Sequence, residues 1–330
     1  MQKCLNLAQK GRANVAPNPM VGCVIVNDGE IIGEGFHEQY GQAHAEVNAI
    51  YSVQDKSLLH SSTLYVNLEP CAHFGKTPPC SNFIIEHNIP KVVIGCLDTF
   101  SEVNGQGIKK MESQGIEVIS GVLNKESREL NKRFFTFHEK KRPYIILKWA
   151  ESADGFIAPE NQTGSFWMTS AKSKKIVHQW RAEAMGILVG TNTAVKDNPS
   201  LTVREVKGKN PIRFVLDKSL RLSPNLSIFD EDASTFVLTE NSIEDNQIEV
   251  DFNTLANSIC DALYQQNIQS LIIEGGRKTL QTFIDAGLWD EARVFTAPTQ
   301  LGNGVKSPEF NLSPAKWEQI ATDQLKTYYR

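Results

Sequence analysis

Apolar residues recur along this chain in short runs separated by helical spacings. Residues 21–26 (VGCVIV) and 31–36 (IIGEGF) flank Asn27-Asp28-Gly29-Glu30. An Asp-Gly pair between two such runs predicts a β-hairpin. Ahead of it, MQKCLNLAQKGR places Leu5 and Ala8 on one face of an amphipathic helix. A further helix is predicted from about His44. LYVNL (64–68) reads as a strand ended by Glu69-Pro70, and Pro78 and Pro79 suit the first turn of a helix reaching about His87. KVVIGCL (91–97) and IEVISG (116–121) are predicted strands with a helix from about Gly107 between them, and KESRELNKRF (125–134) is predicted as one charged helix. The polar run from His138 to Pro143 then breaks the pattern. It places a domain boundary between 141 and 142, giving domains 1–141 and 142–330. Strands follow at YIILKWA (144–150), GILVG (186–190), IRFVLD (212–217), TFVLT (235–239), SLIIEGG (270–276) and ARVFTA (292–297). Strands alternating with helices predict an α/β layered fold in both halves.

Composition narrows the function. A length of 330 residues suits two domains, and a net charge of -4 supplies no basic field, so nucleic acid is not expected as a partner. No apolar stretch approaches the roughly 18 residues of a membrane span, and the start has no signal-peptide core. No membrane partner is expected. The six cysteines are too few for a disulfide scaffold of this size, so a cytoplasmic location with reduced thiols is expected. Of these, Cys4, Cys23, Cys96 and Cys260 lie in apolar patterns and are predicted core residues.

The other two thiols belong to a different pattern. His44-Ala45-Glu46 opens a predicted helix, Pro70-Cys71 follows a predicted strand, and Cys80 opens the next helix. One imidazole and two thiolates make a three-ligand zinc shell that leaves a fourth position for water, whose pKa zinc lowers. Glu46, outside the shell, sits where it can move the water's proton to the ring and the leaving ammonia. Zinc deaminases use His-x-Glu followed by Pro-Cys-x-x-Cys. The first part matches; the second departs, since eight residues separate Cys71 from Cys80.

Residues 67–80 (NLEPCAHFGKTPPC), with APNPMVGCVIV (16–26) and HAEVNAI (44–50), resemble the RibD family of bifunctional riboflavin-biosynthesis proteins. The resemblance implies a cytidine-deaminase-like α/β/α sandwich in the first domain. It also implies hydrolytic deamination of a diamino-ribosylaminopyrimidinone phosphate. It makes His44, Cys71 and Cys80 the zinc ligands and Glu46 the proton shuttle. Asn18 would face the pyrimidine ring, though it equally suits a turn in a Pro-Asn-Pro corner. His73 and Lys76 would hold the ribose phosphate, with a solvated loop lysine as the plain alternative.

No Gly-x-Gly-x-x-Gly follows a strand, and Gly105-Gln106-Gly107 lacks the third glycine, so a Rossmann site is not expected. Glu274-Gly275-Gly276 instead ends a strand and leads into a helix, where backbone amides can approach a phosphate. The segments KWAESADGFIA (148–158), TGSFWMTS (163–170), GTNTAVKDNPSLTVR (190–204) and IIEGGRKTL (272–280) resemble the reductase half of the same family. That half is dihydrofolate-reductase-like and uses NADPH to reduce a ribosyl group to ribityl. By resemblance, NADPH would meet Ala150, Trp167, Thr193, Asp197 and the turn Gly276, Arg277, Lys278, Thr279, Leu280, Gln281 and Thr282. The ribotide substrate would meet Ser165, Arg181, Leu201, Arg204 and Glu274, the two arginines binding phosphate. Lys148 and Asp154 would assist, or else form a strand-end ion pair. Two departures from the family stand out. The usual Ser-Leu-Asp-Gly is Ser152-Ala153-Asp154-Gly155, and KWEQIATDQLKTYYR is expected to stop a strand short, leaving a sheet edge open. An alternative therefore keeps an active deaminase beside a reductase domain that is inactive or structural. A homodimer or homotetramer is the expected assembly.

Overall fold

The computed structural model describes residues 1–72, 78–99, 105–161, 164 and 166–330. The chain divides into two compact units, Met1–Lys140 and Lys141–Arg330. The polar run does not break the last helix of the first unit, which continues through Lys140 because Phe134, Phe135 and Phe137 bury its apolar face.

The first unit runs α1 (Gln2–Ala8), β1 (Gly22–Asn27), β2 (Glu30–Phe36), α2 (Ala45–Ser52), β3 (Thr63–Leu68), α3 (Cys80–Glu86), β4 (Lys91–Cys96), α4 (Gln106–Ser113), β5 (Glu117–Ser120), α5 (Asn124–Leu130) and α6 (Lys132–Lys140). Its sheet has the order β2-β1-β3-β4-β5. The β1–β2 hairpin turns through Asp28 and Gly29, both left-handed, as the Asp-Gly signal requires. Alternation along β1 covers both faces: Val24 packs with Cys4 and Leu7 of α1, while Cys23 and Ile25 pack with Ala49, Ile84 and Met111. The result is helix, sheet, helix. The predicted charged helix at 125–134 is two helices rather than one. At the break, the Asn131 side chain brackets Met20, accepting from its N–H at 2.8 Å and donating to its carbonyl at 2.9 Å.

The second unit runs β6 (Tyr144–Glu151), β7 (Phe156–Ala158), α7 (Ala171–Glu183), β8 (Gly186–Val189), α8 (Thr191–Asp197), β9 (Ile212–Leu216), β10 (Thr235–Thr239), β11 (Gln247–Glu249), α9 (Leu255–Gln265), β12 (Ser270–Ile273), α10 (Arg277–Ala286), β13 (Glu291–Thr296), β14 (Val305–Lys306), β15 (Lys316–Ile320) and β16 (Asp323–Tyr329). The main sheet has the order β11-β10-β9-β8-β12-β6-β13-β16-β15 and is parallel as far as β13. Both faces of its centre are covered, which is why these strands read as unbroken apolar runs. Ile145 and Leu147 pack with Leu263 and Phe283 of α9 and α10, and Tyr144 and Ile146 pack against Ala184 and Trp180 on the α7 side. The C-terminal residues, expected to leave the sheet short, form the antiparallel pair β15–β16, and β16 lies along the whole of β13. The edge strand at this end of the sheet is therefore β15.

Candidate functional sites

The first site is built by a close helix-to-strand approach. Glycines at 33 and 35 let α2 lie directly on β2: a Cβ at Gly35 would run into the backbone of Ala45 and Ala49. This seats the start of α2 at the sheet. His44 is its N-cap and Glu46 lies in its first turn. Cys80 begins α3 behind Pro79, and the Cys71 turn is tied to it, with the Ser81 N–H donating to the Cys71 carbonyl at 3.1 Å and the Cys80 N–H to Cys71 Sγ at 3.3 Å.

His44 Nδ1 lies 3.2 Å from Cys80 Sγ and 3.7 Å from Cys71 Sγ, and all three donor atoms fall within 4.8 Å of one another. Tetrahedral zinc bonds of about 2.0–2.3 Å place ligand atoms roughly 3.5 Å apart, so the donor set fits the ion. The hydrogen bond from Cys80 holds Cys71 down to about 4, and the same bond, with burial, pushes Cys80 up. The bond to Cys71 raises His44. Glu46 is 3% exposed, and burial raises its carboxyl although the His44 charge opposes this. It hydrogen-bonds Cys80 rather than joining the three ligands.

Asn18 follows a cis Ala16–Pro17 bond, and its main-chain N–H donates to the Val15 carbonyl at 2.8 Å, so it does form a turn. Its side chain is also engaged, with Nδ2 3.1 Å from His37 Nε2. Sequence reasoning missed His37. It is 2% exposed, its Nδ1 lies 3.0 Å from the Ala43 carbonyl, and its ring meets that of His44 edge-on at 5.3 Å. Burial lowers its pKa. Its only sequence signal was its place at the end of β2, seven residues before His44. Glu69 was also missed. Its buried carboxylate accepts from the N–H groups of Asp98, Gly105, Gly107 and Ile108 at 3.0–3.4 Å, so the Gly105-Gln106-Gly107 segment is the anchored start of α4. His73 and Lys76 lie outside the described residues.

The second site is a cleft of about 870 Å³ at the C-terminal ends of β6, β8, β9 and β12, the place where open parallel sheets bind ligands. Gly275 and Gly276 precede α10. A Cβ at Gly275 would press on Thr279 at 2.8 Å, and the Gly276 N–H donates to Thr193 Oγ1 at 2.9 Å. The ten-residue α10 thus points its free amides into the cleft beside Arg277 and Lys278. That cradle fits a pyrophosphate. Ala150, Trp167, Thr193, Asp197, Thr279, Gln281 and Thr282 also line the cleft. Leu280 does not: the amphipathic helix turns it into the core with Phe283.

Glu274 is the centre of the charged wall. Arg181 grips it with both edges of its fork, Nε to Oε1 at 3.0 Å and Nη2 to Oε2 at 2.9 Å, and Lys148 Nζ stands 3.5 Å from Oε2. Burial works to raise the Glu274 carboxyl, but the charges of Arg181 and Lys148 override it and hold the group down to about 2. Burial lowers Lys148, and Glu274 partly offsets this. Arg181, expected to clamp a phosphate, spends its remaining Nη1 on the Thr202 carbonyl at 3.3 Å. Asp154 lies away from the cleft lining. Its oxygens take the Ser152 hydroxyl at 2.6 Å and the N–H groups of Leu301 and Gly302, which together pin a turn. Leu201 lines the cleft, Arg204 is exposed outside its lining, and Ser165 lies outside the described residues. Lys218 and Arg221, which sequence reasoning passed over, line the cleft beyond β9 with Leu216, Phe252 and Leu255.

A His/Cys₂ metal cluster on one α/β unit and an anion-cradling cleft on another define a zinc-dependent deaminase joined to a nicotinamide-dependent reductase. Comparison with known proteins agrees. Residues 1–96 match the cytidine and deoxycytidylate deaminase zinc-binding region, and residues 143–326 match the RibD C-terminal domain. The riboflavin biosynthesis protein RibD of Aquifex aeolicus is 42% identical, covering 92% of this chain and 88% of its own. That of Escherichia coli is 35% identical over 93% and 89%. The crystal structure of the diaminohydroxyphosphoribosylaminopyrimidine deaminase/5-amino-6-(5-phosphoribosylamino)uracil reductase from Thermotoga maritima superposes with a TM-score of 0.87 at 38% identity, covering 99% and 96% of the two chains. Acinetobacter baumannii RibD gives 0.92 at 31% identity, covering 99% and 97%.

The chain belongs to the RibD family and is a bifunctional deaminase and reductase of riboflavin biosynthesis. Its cofactors are zinc in the first unit and NADPH in the second. It acts on small molecules, and no described helix is long and apolar enough to cross a membrane.

Proposed function

We propose that the first domain, residues 1–141, removes ammonia from 2,5-diamino-6-(5-phosphoribosylamino)pyrimidin-4(3H)-one. The second, residues 142–330, then reduces the ribosyl group to give 5-amino-6-(5-phosphoribitylamino)uracil. The observation that carries this reading is the convergence of His44, Cys71 and Cys80 with Glu46 buried beside them. Zinc, when bound there, supplies the Lewis acidity that makes water nucleophilic near neutral pH. Glu46 takes the proton and returns it to the ring and the departing amine. Asn18 donates and accepts at the pyrimidine edge, its amide oriented by His37. His73 and Lys76 hold the phosphate.

In the second domain NADPH supplies hydride. Ala150, Trp167, Thr193, Asp197, Gly276, Arg277, Lys278, Thr279, Gln281 and Thr282 bind it. Ser165, Arg181, Leu201, Arg204 and Glu274 bind the ribotide. Arg181 acts chiefly through Glu274, and the exposed Arg204 offers its fork to the phosphate. Lys148 assists sugar opening from beside Glu274, while Asp154 shapes the turn before β7. The six unpaired thiols fit the cytoplasm, and the working form is a homo-oligomer, a dimer or tetramer.

The test supplies the diamino ribotide to zinc-loaded protein and follows ammonia together with NADPH absorbance. Ammonia release followed by NADPH oxidation is the expected result. Stripping zinc with a chelator should stop ammonia release and leave oxidation of added deaminated ribotide untouched. Ammonia without NADPH loss would leave the second domain structural.

We assign the reading of the NADPH 2′-phosphate to Lys218 and Arg221, which line the cleft. Phe252 and Leu255 give the cleft an apolar seat for an adenine, Lys218 Nζ lies 5.4 Å from the centre of the Phe252 ring, and Arg221 also lines the cleft, so the two cations suit the 2′-phosphate. Lys218 also pairs with Glu240 at 3.0 Å, which leaves Arg221 as the main reader. Arg221→Ala should weaken NADPH binding about 10–100-fold, the worth of a charge-assisted bond, and NADH binding little. Quenching of cleft tryptophan fluorescence measures both. Equal losses would remove Arg221 from this role.

A further inference from the structure

One wall of the cleft is held in an unfavourable backbone conformation. Leu201 is buried, faces the cleft and has a φ of +56°, a left-handed geometry that side-chain sterics disfavour. Neighbouring structure must impose it. Arg213 reaches the preceding residue, its Nη1 donating to the Ser200 carbonyl at 3.1 Å. The following residues are gripped from α7. Arg181 Nη1 donates to the Thr202 carbonyl at 3.3 Å, and the Arg204 main-chain N–H donates to His178 Nδ1 at 3.0 Å. His178 and Arg181 are three residues apart on one helix and share a face.

His178 is fully buried, and its other nitrogen has no hydrogen-bond partner among the described residues. Its one polar contribution is thus the acceptor at Nδ1, which requires the proton on Nε2. Burial, with Arg181 and Arg204 nearby, holds the ring neutral, its pKa down to about 4, so the acceptor persists across the working range of the enzyme.

We propose that His178 is a positioning residue for the reduction. By holding the 202–204 main chain it presents Leu201 and Arg204 to the phosphorylated ribosylaminouracil. The inference rests on the assignment of those two residues to the substrate. His178 touches no substrate atom itself.

The test compares His178→Ala, His178→Asn and Arg204→Ala in the full-length zinc-loaded protein. Losing the acceptor strands a main-chain N–H, so His178→Ala should raise KM for the deaminated ribotide about tenfold or more. It should change kcat less than about threefold, because hydride transfer itself is untouched. NADPH affinity, read by fluorescence, and ammonia release should stay at wild-type values. His178→Asn places Oδ1 near the position of Nδ1 and should restore most of the lost KM. The idea is overturned if His178→Ala keeps a wild-type KM, if NADPH affinity falls in step, or if asparagine rescues nothing in a folded protein. Arg204→Ala separates the two layers. An unchanged KM there defeats the substrate assignment and the inference with it. A raised KM there with none in His178→Ala defeats the clamp alone.

Discussion

Glu46→Gln is expected to slow ammonia release by about 10²–10⁴-fold, the range supplied by a positioned proton-transfer group, while one zinc per chain is retained. The structure separates the two roles. The three clustered donor atoms belong to His44, Cys71 and Cys80, and Glu46, outside that set, meets it at Cys80. Glutamine keeps the size of the side chain and a hydrogen bond to Cys80 but cannot exchange a proton. Oxidation of NADPH with the deaminated ribotide should be unchanged, because that chemistry lies in the other unit. Metal analysis and the two assays run on one preparation decide the matter. Loss of zinc in the variant would place Glu46 in the metal shell. Full ammonia release would remove it from the reaction.

The sequence announced this site because metal ligation and proton transfer demand particular residue types at particular spacings. His44-Ala45-Glu46 and Pro70-Cys71 are local patterns, and local patterns survive without a fold. The cleft was less legible. Its glycines were visible as a strand-to-helix turn, yet the roles of Arg181 and Asp154 changed once their partners were known. Arg181 was read as a phosphate ligand on the strength of its fork. That fork is taken by Glu274, 93 positions away, a pairing no spacing rule reveals. Asp154 was read with Lys148, from the family resemblance, as assisting the reduction or else as half of a strand-end ion pair. Ser152 and the amides of Leu301 and Gly302 claim its carboxylate instead. His37, Asn131 and Glu69 escaped notice for the same reason. Each works through partners distant in sequence, such as Asn18, Met20 and the start of α4. Strand positions were easier. Alternation and apolar runs located β1, β3, β4, β10 and β12 to within a residue or a few, because burial on both faces writes itself into composition.

Glu274→Gln is expected to cut NADPH oxidation by about 10²-fold or more, in line with removal of a preorganised polar group, and to leave ammonia release unchanged. The carboxylate is buried between two cations, 2.9 Å from Arg181 and 3.5 Å from Lys148. Removing its charge sets those two largely buried cations against each other. The guanidinium cannot give up its proton, so the lysine does. Lys148 is already lowered by burial and by Arg181, and Glu274 is the group that raises it. The alkaline limb of the reductase pH profile should therefore move to lower pH in the variant. Stability follows with a definite sign. The folded-state pKa of Glu274 is depressed to about 2 from the ordinary 4.5. Its contribution, on the order of 3 kcal/mol, is present above about pH 4.5 and fades as pH falls towards 2. The variant should accordingly melt lower than wild type near neutrality and converge with it in acid. An unmoved alkaline limb would show that Lys148 does not depend on Glu274 for its proton. An unchanged reductase rate would show that the carboxylate serves the fold alone.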